Sequence, residues 1–480
     1  MRAGADSIRI DAMSTALHWF RRDLRLTDNP ALAAAVAAHD RVVPVYVVSE
    51  WRREHHWCGA PRQEFLCGCL VSLAKNIAAK GGRLIVRRGR ADAALEKLVR
   101  ETGADAIYFN RDPDPFGRAM EGRVAKMAAE LGVKVLAHKD VAIHERDEVL
   151  TGGGTPFRVF TPYSKVWLKL DKPAPTPAIG RFSTPPEIAG DLLPTLATWG
   201  LTSDAQILKP GEAAARRRLE RFLDGPIGDY AATRNVPLGG CNSRLSQDLR
   251  HGTLSVREVY AKCAALAAAE PRQARSIGTY VNELIWREFY LQVLWHWPEV
   301  LDRELQEKYR DLKWRDHWRP ESAPGGEAFQ RWCAGQTGFP IVDAGMRELN
   351  ATGYMHNRVR MITAMFLTKD LHVWWMHGES WFMRRLVDGE IASNNGGWQW
   401  SASTGTDAAP YFRIQNPWSQ TARFDPAGDY IRKWIPELRD VPPPRLCEPP
   451  APGLPLAKGY PLPIVDHHRE RDAALEMFRR

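Results

Sequence analysis

Residues 388–413 concentrate side chains that could bind a flat, polar ligand. The stretch reads DGEIASNNGGWQWSASTGTDAAPYFR and contains few of the apolar residues that fill a core. Asn394–Asn395 and Gly396–Gly397 permit tight turns or close approach of the backbone to a ligand, while Trp398 and Trp400 offer stacking surfaces. A glycine-rich loop over a core does not explain so many Asn, Ser, Thr and Trp side chains together. The stretch therefore predicts a cofactor site.

A second group of candidate residues lies in the segment NELIWREFY. Glu283, Trp286 and Arg287 occur at positions i, i+3 and i+4, which puts a carboxylate, an indole and a guanidinium on one helix face. An exposed Glu–Arg pair beside a core tryptophan fits the same spacing equally well. Both interpretations stay open at this point.

Two further segments combine polar side chains with helical spacing. In YMHNRVRM, Asn357 and Met361 share a face and Arg360 adjoins it. A buried guanidinium needs a partner, and Asp388 is the predicted one. In CNSRLSQDLRHG, a Ser- and Asn-rich entry leads into a helix at Ser246, where hydroxyl and amide groups could cap the helix or hold phosphates.

The elements that would position these side chains fall into two regions. From Thr15 to about residue 138, short apolar runs alternate with amphipathic stretches, which predicts a parallel sheet covered by helices on both faces. Such sheets hold ligands at the carboxyl ends of their strands. Asp28 or Asn29 is expected to cap a helix that carries Pro30 in its first turn. From about 211 to 440, helical spacing replaces the strand signals, so this region is predicted to be all-helical.

A proline-rich stretch separates the two regions and sets the predicted boundaries. We expect a flexible extension at 1–14, with Met13 as an alternative start, and an α/β domain at 15–150. A linker follows at 151–210 and contains one short helix at 160–167. The helical domain then occupies 211–480. Two domains are expected because 480 residues exceed what one core usually supports.

Composition narrows the class of protein. A formal charge of +9 favours a polyanionic partner, and eighteen Trp supply surfaces that stack on bases and flavins. Seven scattered Cys without a CxxC pair predict no metal site and suggest free thiols in a reducing cytoplasm. We also expect no membrane association, because neither a membrane-spanning apolar run nor a signal-peptide core is present.

Six motifs carry a resemblance to a known family. They are HWFRRDLRLTDNPAL at 18–32, NSRLS at 242–246, ELIWREFY at 283–290, TGFPIVDAGMREL at 337–349, MHNRVRM at 355–361 and the stretch at 388–413. From Leu17 onward the chain resembles the photolyase/cryptochrome flavoprotein family, and most closely the class I cyclobutane pyrimidine dimer photolyases. The resemblance implies an N-terminal doubly wound α/β domain, a long connecting loop and a C-terminal helical domain that holds a U-shaped FAD.

The resemblance also implies which residues bind FAD. Positions at the phosphate and ribitol end are Tyr230, Asn242, Ser243, Leu245, Ser246 and Arg287, with Tyr280 as a further cofactor contact. Positions around the isoalloxazine ring are Asn357, Arg360, Asp388, Glu390 and Asn394. Asn394 would face flavin N5, where an amide can donate or accept a hydrogen bond and so tolerates the reduced flavin.

The implied activity is light-driven repair of cyclobutane pyrimidine dimers in UV-damaged DNA, by electron transfer from reduced FAD to a flipped-out dimer. Glu283 would be protonated and would hydrogen-bond the dimer carbonyl. The residues expected to contact the lesion or flanking DNA are Trp286, Asn357, Met361, Trp400 and Arg413. Family members that act on the pyrimidine–pyrimidone photoproduct carry two His at the positions of Asn357 and Met361. Duplex DNA and a monomeric protein are the expected states.

A chain of tryptophans is expected to reduce oxidised flavin in light. Trp398 and Trp375 match its inner members, and Trp318 is the predicted outer member, with Trp314 as a competitor. A light-harvesting pigment, either methenyltetrahydrofolate or a deazaflavin, is expected near residues 109–118. The alternatives are a cryptochrome-like blue-light photoreceptor and a flavoenzyme that acts on small molecules, which would leave the basic charge and the paired cavity tryptophans unexplained.

Overall fold

The computed structural model describes residues 13–48, 55–181, 183–315, 326–406 and 413–479. Residues 1–12, most of the predicted extension, lie outside the described residues. So does Trp318, the predicted outer member of the tryptophan chain.

Within the described residues, the amino-terminal part forms a five-stranded parallel sheet in the order β3-β2-β1-β4-β5. The strands are β1 (Thr15–Phe20), β2 (Arg41–Val48), β3 (Ile85–Arg88), β4 (Ala106–Asn110) and β5 (Lys134–His138). The helices between them are α1 (Pro30–Ala38), α2 (Ala60–Ala79), α3 (Ala91–Thr102) and α4 (Pro115–Glu130). All residues of β1 are buried, as expected for a central strand covered on both faces. The predicted alternation of strands and helices is confirmed.

The start of α1 shows how the turn after β1 is built. The Asn29 side chain accepts a hydrogen bond from the Leu32 amide at 3.1 Å, and Pro30 occupies the first helical position. Asn29 is therefore the helix cap, and Asp28 instead contacts a residue of the helical part. Its Oδ1 accepts a hydrogen bond from Arg257 Nε in the helical part at 3.2 Å.

The rest of the chain is helical, and no β-strand occurs among its described residues after β5. The α-helices are α5 (Phe160–Lys169), α6 (Glu212–Leu223), α7 (Tyr230–Thr233), α8 (Ser246–His251), α9 (Val256–Ala269), α10 (Ala274–His296), α11 (Gly326–Ala334), α12 (Pro340–Thr352), α13 (Asn357–Met365), α14 (Trp375–Arg385), α15 (Ile391–Ala402), α16 (Pro417–Phe424), α17 (Asp429–Trp434), α18 (Pro443–Leu446) and α19 (His467–Met477). Single 3-10 turns are Arg146–Glu148, Leu196–Trp199, Pro226–Asp229, Pro271–Gln273, Pro298–Leu301, Glu307–Tyr309 and Pro436–Leu438, and a π-helix spans Phe366–Asp370. The predicted combination of an α/β part and an all-helical part is confirmed.

The carboxyl ends of β1 and β4 point toward the helical part. These strands are neighbours at the place where the strand order reverses, which is where open parallel sheets form crevices. Arg22, just after β1, forms a 3.1 Å ion pair with Glu390 at the start of α15. The Leu24 amide donates to the His251 carbonyl at 3.2 Å. The loop after β1, at the carboxyl end of the sheet, therefore fixes the amino-terminal end of α15.

Candidate active site

Helix α15 occupies the centre of the stretch that sequence analysis singled out. The Glu390 side chain caps it by accepting a hydrogen bond from the Ser393 amide at 3.2 Å. Of the two expected roles for Asn394–Gly397, tight turns or close approach to a ligand, tight turns do not occur, because these residues lie within the helix. Close approach is what the glycine provides, since a Cβ on Gly396 would lie 2.1 Å from the Tyr290 ring on α10. Packing against α10 therefore overrides the low helix propensity of this segment.

The predicted pairing of Arg360 with Asp388 is confirmed. Arg360 Nη2 lies 2.9 Å from Asp388 Oδ2, and Arg360 Nε donates to the Met355 carbonyl at 2.8 Å. The other carboxylate oxygen, Asp388 Oδ1, is buried without a hydrogen-bond partner among the described residues. Since a buried acceptor without a donor is costly, this oxygen fits a site that receives a polar ligand.

Helix α13 begins where the predicted lesion-contacting face begins. His356 caps the helix by accepting the Arg358 amide through Nδ1 at 3.1 Å. Asn357 is exposed, whereas Met361, one turn later, is half-buried. The two side chains thus lie on one helix face at the rim of the Arg360–Asp388 pair.

The residues predicted near the flavin phosphates gather beside α10. The Tyr280 hydroxyl donates to Ser243 Oγ at 3.2 Å, and the Tyr280 ring packs edge-on against Tyr230 at 5.3 Å. Leu245 is buried, and α8 begins at Ser246 as predicted. Tyr230, Ser243 and Tyr280 are therefore brought together from three segments.

A cavity opens between this group of residues and α13. It is lined by Pro237, Leu238, Gly239, Gly240, Asn242, Arg244, Glu348, Tyr354, His356, Tyr430, Lys433 and Trp434. Arg244, which sequence analysis did not select, places its guanidinium 3.6 Å from the centre of the Tyr354 ring. Of the predicted residues, only Asn242 lines this cavity. The only local signal for Arg244 was its place inside the NSRLS motif.

Arg287 and Glu390 belong to a buried charge network. Arg287 Nη1 donates to the Val141 carbonyl at 2.6 Å, not to Glu283 on its own helix. Burial alone would raise the pKa of Glu390, but Arg22, Arg250 and Arg287 together lower it. The sign of the surrounding charge therefore keeps Glu390 ionised, and the carboxylate can act as a cap for α15.

Glu283 and Trp286 face different neighbours on α10. Glu283 forms an ion pair with Arg234, just after α7. Burial raises the pKa of Glu283, and the charge of Arg234 opposes that rise. Trp286 is stacked on Phe160 of α5, with ring centroids 3.6 Å apart and planes inclined by 5°. One face of this indole is therefore fixed by α5.

Trp398 and Trp400 have different environments although one residue separates them. Trp398 is 2% exposed and packs against Phe382, with ring centroids 4.9 Å apart. A Cβ on Gly378 would lie 2.0 Å from the Trp398 ring, so this glycine makes room for the indole. Trp400 is half-buried, and the Arg413 guanidinium lies 5.1 Å from its ring centre.

The structure brings Trp375 together with a tryptophan that sequence analysis did not select. The rings of Trp374 and Trp375 lie 6.4 Å apart at an interplanar angle of 70°, at the start of α14. Trp314, the competitor for the outer position, is buried and packs against Phe478 at 6.1 Å. The adjacent Trp-Trp pair in the sequence was the signal that could have identified Trp374.

A basic cluster beside Glu283 was also missed. Arg358 donates from Nε and Nη2 to Asn235 Oδ1 at 3.1 and 2.9 Å. Burial lowers the pKa of Arg358, and repulsion from Arg234 and Arg423 adds to this effect. Three guanidiniums thus lie close together near the exposed Asn357.

Asn394, the residue predicted to face flavin N5, is less exposed than Asn357 and donates from Nδ2 to the Glu379 carbonyl at 3.0 Å.

Three further observations concern membrane spans, metal ligands and disulfides in the described residues. None of their helices combines the length and apolar character needed to cross a bilayer. No group of three or more His, Cys, Asp or Glu among them could hold a metal ion. None of the seven cysteines, all of which lie among the described residues, forms a disulfide.

Comparisons with known proteins agree with this architecture. Residues 16–179 match the family model for DNA photolyase, and residues 280–480 match the model for the FAD binding domain of DNA photolyase. The chain is 39% identical to a deoxyribodipyrimidine photo-lyase of Synechococcus over 94% of both chains. It is similar to the crystal structure of a class III photolyase from Agrobacterium tumefaciens, with a TM-score of 0.88, 35% identity and coverage of 98% and 99%. A Synechocystis cryptochrome gives a TM-score of 0.87 at 26% identity, with coverage of 98% and 100%.

The matches to both models define a class of flavoproteins in which an α/β domain precedes a helical FAD-binding domain. Within that class, the chain belongs to the photolyase/cryptochrome family, because the identity to a curated relative extends over nearly the whole length of both chains.

Proposed function

We propose that this protein is a light-dependent lyase that repairs cyclobutane pyrimidine dimers in UV-damaged DNA. The observation that carries the proposal is the arrangement on α10. There a carboxyl group (Glu283), paired with Arg234, and a stacked indole (Trp286) lie one helical turn apart, and Arg358 is close enough to Arg234 and Arg423 for their charges to repel. A hydrogen-bond donor, an aromatic wall and a phosphate-binding surface are the three components that recognition of a flipped-out, damaged base pair requires.

The residues present fit FAD. Asp388 Oδ1 is a buried acceptor that lacks a donor, and Arg360 holds the other oxygen of that carboxylate. A Cβ at Gly397 would meet no atom within 4 Å, so space remains beside α15. Asp388, Asn394 and Arg360 would hold the isoalloxazine ring, while Ser243 and Tyr280 would face the phosphate and ribitol end. In its reduced form, bound FAD supplies the electron that light drives to the dimer.

DNA binding depends on the basic cluster. Arg234, Arg358 and Arg423 would bind phosphates that flank the lesion, together with Arg413 beside Trp400. Trp400 and Trp286 would form the aromatic wall against the dimer. The proposed substrate is duplex DNA, and the apolar Met361 would contact the lesion.

Glu283 has two partners in this mechanism. In the free protein it pairs with Arg234, whereas a bound phosphate would attract the same guanidinium. Since burial raises the pKa of Glu283 and Arg234 opposes that rise, loss of this partner favours the protonated carboxyl group. The acid can then donate a hydrogen bond to the dimer carbonyl on which negative charge develops. DNA binding would thus prepare the proton donor.

The tryptophans supply electrons when the flavin is oxidised. Trp398 is buried against α14, and Trp375 begins that helix three residues before Gly378, which packs on the Trp398 ring. We assign Trp398 and Trp375 as the inner members of the chain. The proposed outer member of the chain is Trp318, with Trp314 as the alternative.

A second, light-harvesting chromophore, either a folate or a deazaflavin, completes the proposal. In the candidate segment 109–118, Asn110 is engaged with Asp23 at 2.7 Å and leaves little polar surface. Phe116 is 43% exposed and packs edge-on to Trp57 at 5.6 Å, which offers aromatic surface instead. Mass spectrometry of the cofactors released from the purified protein would identify the pigment, and release of FAD alone would refute this part. Sedimentation would test the proposed monomer, and cell fractionation the proposed cytoplasmic location.

Similarity to a Synechocystis cryptochrome keeps a blue-light photoreceptor as the second candidate. The two functions predict different results when reduced, FAD-loaded protein is illuminated with two duplexes. One duplex carries a cyclobutane dimer and the other a pyrimidine–pyrimidone photoproduct. We expect light-dependent loss of the dimer only, because Asn357 and Met361 cannot pass a proton as two His would. Loss of neither lesion, with FAD retained, would favour the photoreceptor.

The role of Glu283 can be tested in the same assay. Glu283→Ala removes the donor and should slow repair about 100-fold without release of FAD. Glu283→Gln is the matched control, because its amide can still donate to the carbonyl and should retain more activity. Equal repair by the alanine variant and the wild type would refute the role.

A further inference from the structure

Glu304 makes an unusual contact with two neighbouring tryptophans. Its side chain is buried, and its Oε1 accepts hydrogen bonds from the indole N–H groups of Trp374 at 3.2 Å and Trp375 at 3.0 Å. A single carboxylate oxygen thus connects both indoles at the start of α14. A backbone carbonyl or a side-chain amide could accept the same hydrogen bonds but carries no net charge. A carboxylate places a negative charge beside both indole rings.

The segment that carries Glu304 is held in place by α15. Gln399 Oε1 accepts the Leu305 amide at 2.9 Å, and Gln399 Nε2 donates to the Val300 carbonyl at 2.9 Å. Gln399 lies between Trp398 and Trp400 in the sequence, so the same helix that holds these indoles also orients the Glu304 segment. The position of the carboxylate is therefore fixed relative to Trp398 and the pair formed by Trp374 and Trp375.

Electrostatics gives this arrangement a consequence for electron transfer. An indole that loses an electron becomes a cation, and attraction to a carboxylate is much stronger in a buried site than in water. A hydrogen bond from a charged donor to a carboxylate is also stronger than one between neutral groups. Both effects make Trp374 and Trp375 easier to oxidise than an indole without such a partner.

We propose that the negative charge of Glu304 stabilises the tryptophan cation that forms during photoreduction of the flavin, and that Trp374 shares this positive charge with Trp375. One electron passes from Trp375 to oxidised Trp398, and one positive charge remains on the Trp374–Trp375 pair. No bond breaks and no proton leaves in this step. A thiol reductant in solution later returns one electron to the pair; the thiol becomes a thiyl radical and releases its proton to the solvent. This inference rests on the proposed function, because it uses the assigned chain through Trp398 and Trp375.

The first test compares Glu304→Gln with the wild type in oxidised, FAD-loaded protein without DNA. The amide keeps the size and one acceptor oxygen but removes the charge. After a blue-light pulse, we expect the tryptophan radical to recombine faster and the yield of thiol-supported flavin reduction to fall roughly tenfold. Glu307→Gln is the matched control, because it removes a charge from the same segment at a side chain that is 85% exposed. Glu304→Gln and wild-type yields within a factor of two, at equal FAD content, would overturn the proposal.

A second variant and a measurement without FAD test the same idea independently. Trp374→Phe keeps the carboxylate but removes the shared indole, and should shorten the radical lifetime several-fold; an unchanged lifetime would refute sharing. In FAD-free protein labelled with [15N]tryptophan, Glu304→Gln should shift two indole N–H resonances, and absence of any shift would disprove the contact. Absence of dimer repair by the wild type would refute the proposed function. It would leave the comparison of photoreduction yields unaffected.

Discussion

Glu379 provides the sharpest pH-dependent prediction. Its side chain on α14 is 2% exposed, and its Oε1 accepts a hydrogen bond from Asn395 Nδ2 at 3.0 Å. Burial raises the pKa of Glu379 to about 8, whereas its ordinary value is 4.5. Asp302 adds to this rise, and the hydrogen bond from Asn395 opposes it. At neutral pH the carboxyl group is therefore protonated in the folded protein and ionised in the unfolded chain.

The sign and size of the effect follow from this difference. Between pH 4.5 and about 8, the folded protein holds a proton that the unfolded chain has lost. The free energy of unfolding should then fall as pH rises, by about 1.4 kcal/mol per pH unit. Over the whole interval this single group contributes a loss of about 5 kcal/mol. Glu379→Gln should remove this decline, because the amide is neutral at every pH and keeps an oxygen for Asn395.

Denaturant unfolding between pH 5 and pH 9 measures this directly. The variant and the wild type should have similar stability near pH 5, and the variant should be more stable by several kcal/mol near pH 8. Glu307→Gln, at an exposed position, serves as the control for loss of one carboxylate. Parallel pH profiles for Glu379→Gln and the wild type would refute the reasoning, because they would show that Glu379 titrates alike in both states.

Three further predictions concern the site. Arg360→Met should lower the free energy of unfolding by about 3–5 kcal/mol, because the buried Asp388 loses its partner, and adding Asp388→Asn should restore much of this loss in denaturant titrations. Trp398→Phe should chiefly slow flavin photoreduction, whereas Trp400→Phe should chiefly weaken binding of dimer-containing DNA, by about 1–3 kcal/mol; identical defects in both assays would contradict this division. Arg358→Ala should weaken binding of damaged and undamaged duplexes alike and reduce the salt slope by about 1, and an unchanged slope would exclude a phosphate contact.

Local sequence patterns were sufficient for the α/β part. Apolar runs mark the central strands β1, β2 and β4, and α3 has a clearly amphipathic pattern, so the local sequence predicts the element order. The pairing of Arg360 with Asp388 could also be anticipated, because a buried charge demands a partner and few candidates were near. The preference of Asp and Asn for the position before a first-turn proline limited the cap to Asp28 or Asn29, and the structure identifies Asn29.

Contacts between distant segments could not be predicted. The helical state of Asn394–Gly397 depends on packing against α10, since the residues themselves disfavour a helix. Glu304 has no motif, and its importance arises only when folding brings it to Trp374 and Trp375. The pairing of Arg234 with Glu283 also spans 49 residues and gives no periodic signal.

The central claim is tested most directly by counting dimers in a defined duplex. A duplex with a single cyclobutane dimer is mixed with reduced, FAD-loaded protein and divided between blue light and darkness. The account predicts loss of the dimer in light and none in the dark, with return of two intact pyrimidines. Protein that retains FAD and binds the duplex, yet leaves the dimer count unchanged in light, would contradict it.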